Sequence, residues 1–207
     1  MTFLEFHRAL KDFVVFSLTD IRIIDPGFYR TRLNEWQNKG YIRKVLRGYY
    51  IFTDEKLDEF SLFIISNKIY KPSYISLQSA LSYYNLIPES VYAVTSMSTL
   101  LTRSFKTPLA NFKYHMIKSE MFFGYDLISS NNTHFQIACP EKAVLDYLYI
   151  NPTIKDKYDF SKLRINTNEF QKQVNLQKLD VLAEKIGQKS LLRRILAFKE
   201  YIQNARS

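Results

Sequence analysis

Residues 25–52, DPGFYRTRLNEWQNKGYIRKVLRGYYIF, combine a helical pattern with a basic strand pair that follows it at once. Asp25 is a good N-cap and Pro26 suits a first helical position, because its φ is fixed and its missing N–H would be unpaired there anyway. The pattern predicts a helix from Asp25 to Gly40. Tyr29, Leu33 and Trp36 recur at i, i+4 and i+7 and form an apolar stripe that must pack on other helices. Thr31, Asn34 and Asn38 point away from that stripe, with Arg30 and Gln37 beside them, and all five side chains can donate hydrogen bonds. On a helix narrow enough for the major groove, such residues read base edges, Arg on guanine and Asn or Gln on adenine.

The strand half runs over residues 41–46 and 49–52, with Arg47 and Gly48 in the turn between. Arg43, Lys44 and Arg47 sit on this hairpin. From Phe28 to Arg47 six basic residues face the single acid Glu35, a density suited to a phosphate backbone, although a basic hairpin can also be ordinary solvated surface.

Upstream, Phe3, Phe6 and Leu10 are spaced for a first helix, and residues 14–16 form a short β-branched run. Ser17 and Asp20 resemble a capping box ahead of a second helix whose inner face holds Leu18, Ile21 and Ile24. Helix, helix, turn, recognition helix and wing is the order of a winged helix-turn-helix DNA-binding domain over residues 1–54.

Beyond it, residues 55–72 read as a connecting helix closed by Lys71-Pro72, and residues 73–84 as a further helix with Ser76 as its cap. The period then changes. Short runs at 91–95, 104–107, 112–117, 125–128 and 134–138, with turn residues at 129–132, predict a small, mostly antiparallel sheet. A helix from Pro140 to Ile150 and two more at 176–186 and 190–202 complete residues 73–207. The expected class is α+β: a winged helix, then a sheet flanked by helices, then a helical C-terminal segment.

The net charge of +9 is unevenly spread. Residues 1–52 carry nine basic and five acidic side chains, residues 53–150 carry eight and nine, and residues 151–207 carry twelve and six. A neutral middle between basic ends suggests that the ends approach a polyanion. On the last two helices Lys189, Arg193, Arg194 and Lys199 are expected on the outer surface, where they would meet a partner.

Other chemistry is sparse. The five glycines are too scattered for a phosphate-binding loop, a dinucleotide fingerprint or a nucleophile elbow. The single Cys139 excludes an internal disulfide, and the three histidines lack metal-ligand spacing, so no cofactor and no metal are expected. No apolar run approaches the roughly 20 residues of a membrane helix, and Glu5, His7 and Arg8 stand where a signal peptide would be apolar. A cytoplasmic protein away from the membrane is expected. Glu141, Lys142 and Asp146 could pass for an acid-base group, but an i, i+4 pair between Lys142 and Asp146 with Glu141 at the positive helix end explains all three. Tyr83, Tyr84, Phe122, Phe123 and Tyr125 could stack bases, or simply pack a core.

Three blocks carry a resemblance: YISLQSALSYYNLIPESVYAVTS (residues 74–96), FFGYDL (122–127) and above all CPEKAVLDYLYI (139–150). Together with the RGYY of residues 47–50, in this order, they resemble the antitoxins of AbiE-type abortive-infection systems, over most of the chain up to Ile150. The resemblance implies a bacterial type IV toxin–antitoxin component with no enzymatic activity. It would bind operator DNA and repress its own operon through the winged helix, and counteract a nucleotidyltransferase-like toxin through its C-terminal domain, without needing a stable complex. The last fifty-odd residues match no block of that family. The alternative from the residues alone is a stand-alone regulator with a partner- or ligand-sensing C-terminal domain.

Overall fold

The computed structural model describes residues 1–88, 92–130 and 133–204. Parts of two expected features, the start of the strand at 91–95 and the end of the turn at 129–132, lie outside these residues. The chain is α+β, with helices packed on a three-stranded and a six-stranded sheet.

The first unit is built from α1 (Phe3–Leu10), β1 (Phe16–Ser17), α2 (Leu18–Ile24), α3 (Thr31–Asn38), β2 (Ile42–Leu46) and β3 (Tyr49–Phe52). Both early helices start as local chemistry dictates. Thr2 with Glu5, and Ser17 with Asp20, form reciprocal capping boxes that satisfy N–H groups left open at a helix start. The strands pair antiparallel in the order β1-β3-β2. Phe6, Leu10, Phe16, Ile21, Phe28, Leu33, Trp36 and Phe52 fill the core beneath the helices.

The helix expected from Asp25 begins six residues later, at Thr31. Asp25 instead closes α2, its N–H bonded to the Ile21 carbonyl at 2.8 Å, and its own carbonyl accepts from Phe28 N–H at 3.0 Å. Pro-Gly favours a turn over a helix start, since proline presets the turn's second position and glycine adds freedom beside it. The register therefore changes. Phe28 enters the core, whereas Tyr29, assigned to the apolar stripe, is 76% exposed. Ile24, expected on the inner face of α2, is also exposed.

The second unit comprises α4 (Glu59–Ile69), β4 (Ser73–Ile75), α5 (Leu77–Tyr83), β5 (Ala93–Ser98), β6 (Arg103–Lys106), β7 (Asn111–Met116), β8 (Tyr125–Ser130), β9 (Thr133–Ala138), α6 (Pro140–Ile150), α7 (Lys157–Lys162), α8 (Thr167–Gln173), α9 (Leu176–Ile186) and α10 (Lys189–Asn204). Its sheet runs β6-β7-β5-β4-β9-β8. Hairpins β6–β7 and β8–β9 and the pair β4–β5 are antiparallel, but β5–β7 and β4–β9 are parallel, so the sheet is mixed, with antiparallel pairings in the majority. Alternation along a strand reports which face is buried and says nothing of its direction.

The helix expected over 73–84 is also split. Ser73, Tyr74 and Ile75 form a central strand buried on both faces, which leaves no alternation to read, and the helix starts only at Leu77. The segment 55–72 forms α4, whose Phe63, Ile65 and Ile69 belong to the larger core. Val15, Val45 and Ile51 from the first unit join that same core. Alternation makes this possible. Along β3, Tyr50 and Phe52 face the first core while Ile51 between them faces the second, so the small sheet lies between the two.

Candidate nucleic-acid interface

The outer surface of α3 and the β2–β3 hairpin gathers most of the residues chosen from sequence. Thr31, Asn34 and Asn38 are exposed on α3, and Arg30 is exposed at its N-terminal boundary. Leu33 and Trp36 anchor the opposite face in the core. Gln37 differs from its neighbours: its side chain turns back and its Nε2 donates to the Leu33 carbonyl at 3.2 Å, half-buried. It is therefore tied down where a base contact would need it extended.

On the hairpin, Arg43, Lys44 and Arg47 are all exposed. Ordinary alternation places them: Ile42 is buried in the first core and Val45 in the larger one, so Arg43, opposite Ile51, and Lys44, opposite Tyr50, reach solvent on the two faces of the hairpin. Gly48 holds the turn at φ +89°, a conformation that a side chain resists. Among the described residues no hydrogen bond or ion pair engages the side chains of Arg30, Thr31, Asn34, Asn38, Arg43, Lys44 or Arg47, so their donors are open. Arg32 is the exception in this basic stretch, since its guanidinium donates to the Met1 carbonyl and ties the N-terminus to α3.

Sequence reasoning missed Tyr29, which stands exposed beside Arg30, with Lys39 and Tyr41 exposed at the other end of α3. The signal was the Pro-Gly turn. Read as a turn, it removes Tyr29 from the helical stripe.

The four basic residues expected on one C-terminal surface divide. Lys189 and Arg193 are exposed on α10. Arg194 is only 8% exposed and donates through Nη1 to the carbonyls of Leu148 and, at 3.2 Å, Asn151, capping the C-terminal end of α6. Lys199 closes on Asp180 at 2.6 Å. Helical geometry explains the division, because Arg194 lies among Leu191, Ile195, Phe198 and Ile202 on the inward stripe of α10. These residues do not form a common basic surface.

The CPEKAVLDYLYI block forms α6 and is mostly interior. Lys142 and Asp146 are fully buried and joined as an i, i+4 ion pair. Lys142 Nζ also donates to Tyr74 Oη at 2.9 Å, and the hydroxyls of Tyr74 and Ser76 donate to Asp146 Oδ2 at 2.9 and 2.8 Å. Burial raises the Asp146 carboxyl above its usual range, against the pull of Lys142 and the two hydroxyls. Glu141 accepts from Asn175 N–H at 2.8 Å and pairs with Lys178 at 3.0 Å; although burial opposes it, these partners hold its carboxyl below the usual range. The trio therefore fastens α6 to β4 and to the start of α9, with its polar atoms turned to protein groups. Burial pushes the adjacent Cys139 thiol up to about 11.

Tyr83, Tyr84, Phe122, Phe123 and Tyr125 are half-buried. Tyr84 donates to the Ala138 carbonyl at 3.0 Å, and Phe122 and Tyr125 pack on Tyr74. Of the histidines, His7 faces Asp54, His115 is half-buried with its pKa lowered by burial, and His134 is exposed. Among the described residues no three His, Cys, Asp or Glu side chains group as metal ligands, and no helix is long and apolar enough to cross a membrane. No known protein-family model and no curated protein matches the chain.

Proposed function

We propose that the chain is a winged-helix repressor that binds operator DNA through α3 and the β2–β3 hairpin, and that it serves as the antitoxin of a type IV toxin–antitoxin pair. The observation that carries the DNA-binding reading is the exposed surface of Thr31, Asn34, Asn38, Arg30, Arg43, Lys44 and Arg47, whose donors have no internal partners among the described residues. Two supports stand beside it. The element order α1-β1-α2-α3-β2-β3 and the sheet order β1-β3-β2 suit a helix-turn-helix with a wing, and Leu33 and Trp36 hold α3 so that its polar face points outward. The antitoxin role rests on the likeness of residues 74–96, 122–127 and 139–150 to AbiE-type antitoxins, with a nucleotidyltransferase-like toxin as the functional partner and the cytoplasm as the site of action.

Fluorescence anisotropy on the duplex upstream of the chain's own coding sequence tests the first part. Asn34→Ala is expected to cost about 1 to 3 kcal/mol on the specific site and to relax its sequence preference. Lys44→Ala and Arg47→Ala weaken binding on every sequence and lower the salt slope by about one unit for each phosphate left without its cation. Gln37→Ala serves as the internal control, with little effect, because its amide is already engaged. Wild-type affinity in an Asn34, Lys44 and Arg47 triple alanine variant at moderate salt refutes the DNA-binding reading. Co-expression with the product of a nucleotidyltransferase-like reading frame found beside its own tests the second part, and the absence of such a frame, or failure to restore growth, removes the antitoxin role.

A further inference from the structure

A cleft of about 640 Å³ opens at the seam between the two units, walled by residues 12–15, α4, the start of β4 and the β8–β9 hairpin. That volume lies in the range of small-molecule sites, and so does its make-up, a mostly apolar wall with a few polar groups. Val15 and Phe135 form buried apolar wall, while Phe13 and Leu127 stand 39% and 58% exposed at the same cleft.

Two polar atoms in the wall have no partner among the described residues. Ser73 is 1% exposed and its hydroxyl is unpaired; Asn67 Nδ2 is likewise buried and unpaired, although Asn67 Oδ1 accepts from Gln136 N–H at 2.6 Å. Fixing Oδ1 on a backbone donor leaves the amide's own N–H groups unused. Both orphans can donate, and a buried donor without an acceptor is a costly feature of a fold. The cations of the cleft are Lys68 and Lys71. Lys68 is committed to Asp20 at 2.7 Å, whereas Lys71 is exposed and forms no ion pair among the described residues. Asp12 on the wall disfavours a second negative charge on anything seated there.

We infer that this cleft binds a small amphipathic monocarboxylate, its apolar body against Val15, Phe135, Phe13 and Leu127 and its carboxylate accepting from Ser73 Oγ and Asn67 Nδ2, with Lys71 supplying the counter-charge. A carboxylate brings two acceptor oxygens to two orphan donors and one charge to one uncommitted ammonium. A dianionic phosphate would exceed the positive charge available and meet Asp12. The inference concerns binding alone and stands whether or not α3 reads DNA.

Isothermal titration calorimetry of the full chain with naphthoate, and with neutral naphthalenemethanol of the same ring, tests it. Naphthoate is expected to bind about tenfold more tightly than the alcohol, the scale of one charge-assisted hydrogen bond. Ser73→Ala and Lys71→Glu each reduce naphthoate affinity by about tenfold or more on the same scale. Melting of the ligand-free variants keeps the test clean, because removing an unpaired hydroxyl or an exposed ammonium leaves the fold at least as stable as the parent. Lys113→Ala in the separate cleft beside α5 leaves affinity unchanged. Equal affinity for acid and alcohol overturns the inference, and so does millimolar naphthoate giving no heat. Loss of binding with Lys113→Ala but not with Ser73→Ala overturns it too.

Discussion

Replacing Asp146 by alanine removes the one carboxylate that, among the described residues, pairs with the Lys142 ammonium, in a place where neither side chain touches water. The remaining neighbour of Lys142 Nζ is the Tyr74 hydroxyl at 2.9 Å, which also loses its acceptor, as does Ser76. Breaking a buried pair in this way costs about 3 to 5 kcal/mol, chiefly as an uncompensated charge. For a chain of this size each kcal/mol moves Tm by roughly 2 to 4 °C, so Asp146→Ala should melt on the order of 6 to 20 °C below the parent. The raised Asp146 carboxyl makes a second, sharper expectation, because burial there outweighs Lys142 and both hydroxyls. A pair whose desolvation exceeds its attraction adds little net stability. Lys142→Met combined with Asp146→Leu should therefore lose less than Asp146→Ala alone, despite two substitutions. Differential scanning calorimetry and urea titration with an unchanged m-value measure both. A loss of about 1 kcal/mol or less in the single variant, the scale of an exposed pair, would refute the buried-fastener account.

Asp20 titrates in the opposite sense: burial raises its carboxyl, but the Lys68 ammonium and the Ser17 hydroxyl and N–H outweigh burial and hold it below the usual range. A depressed acid contributes stability above its unfolded value, about 3.9, and loses it as pH falls through the lower folded value. Asp20→Asn should therefore lower Tm at neutral pH and flatten its decline below about pH 4, as followed by circular dichroism. Gly124 and Gly40 share a positive φ, +73° and +72°, but a Cβ at Gly124 would meet Lys142 Cγ at 3.2 Å and one at Gly40 meets nothing within 4 Å. Gly124→Ala should thus cost more than the roughly 1 kcal/mol of backbone strain expected for Gly40→Ala, in parallel urea titrations.

What could be read from sequence followed the range of the forces involved. Capping at Ser17 and Asp20 is settled within four residues, and the Lys142–Asp146 spacing within one helical turn, so both were legible. The start of α3 was not, because Asp-Pro is an equally good opening for a helix and for a turn, and the choice fell to whether Phe28 or Tyr29 fills the core. β4 was hidden for a related reason. Three residues buried on both faces show no period, and their strand identity comes from pairing with β5 and β9, residues distant along the chain. On α10, basic character hid Arg194 among surface residues, although its place on the apolar stripe was available from helical spacing. The open donors of α3 were legible as types, but only the fold reveals that Gln37 is engaged and that Asn34 is not.

The seam between the two cores decides which part of the first unit can yield when the cleft is filled. Residues 12–15 run directly into β1, which is held by pairing with β3, and β3 sends Ile51 into the larger core and Tyr50 and Phe52 into the smaller. Moving β3 exposes apolar side chains worth about 1.5 to 3 kcal/mol each, on both of its faces. A second tie across the seam is the pair between Asp20 on α2 and Lys68 on α4, partly exposed and over the ring of Phe13. An ion pair in such a setting is worth about 1 kcal/mol or less. A ligand that displaces the Phe13 side chain thus disturbs at most the weaker of the two ties and leaves the stronger intact. The small sheet stays fixed and α2 is held with it, since Ile21 is fully buried in the first core and the helix follows β1 without a break; the exposed side chain of Phe13 is what yields as the cleft fills, and the α3 surface is left in place.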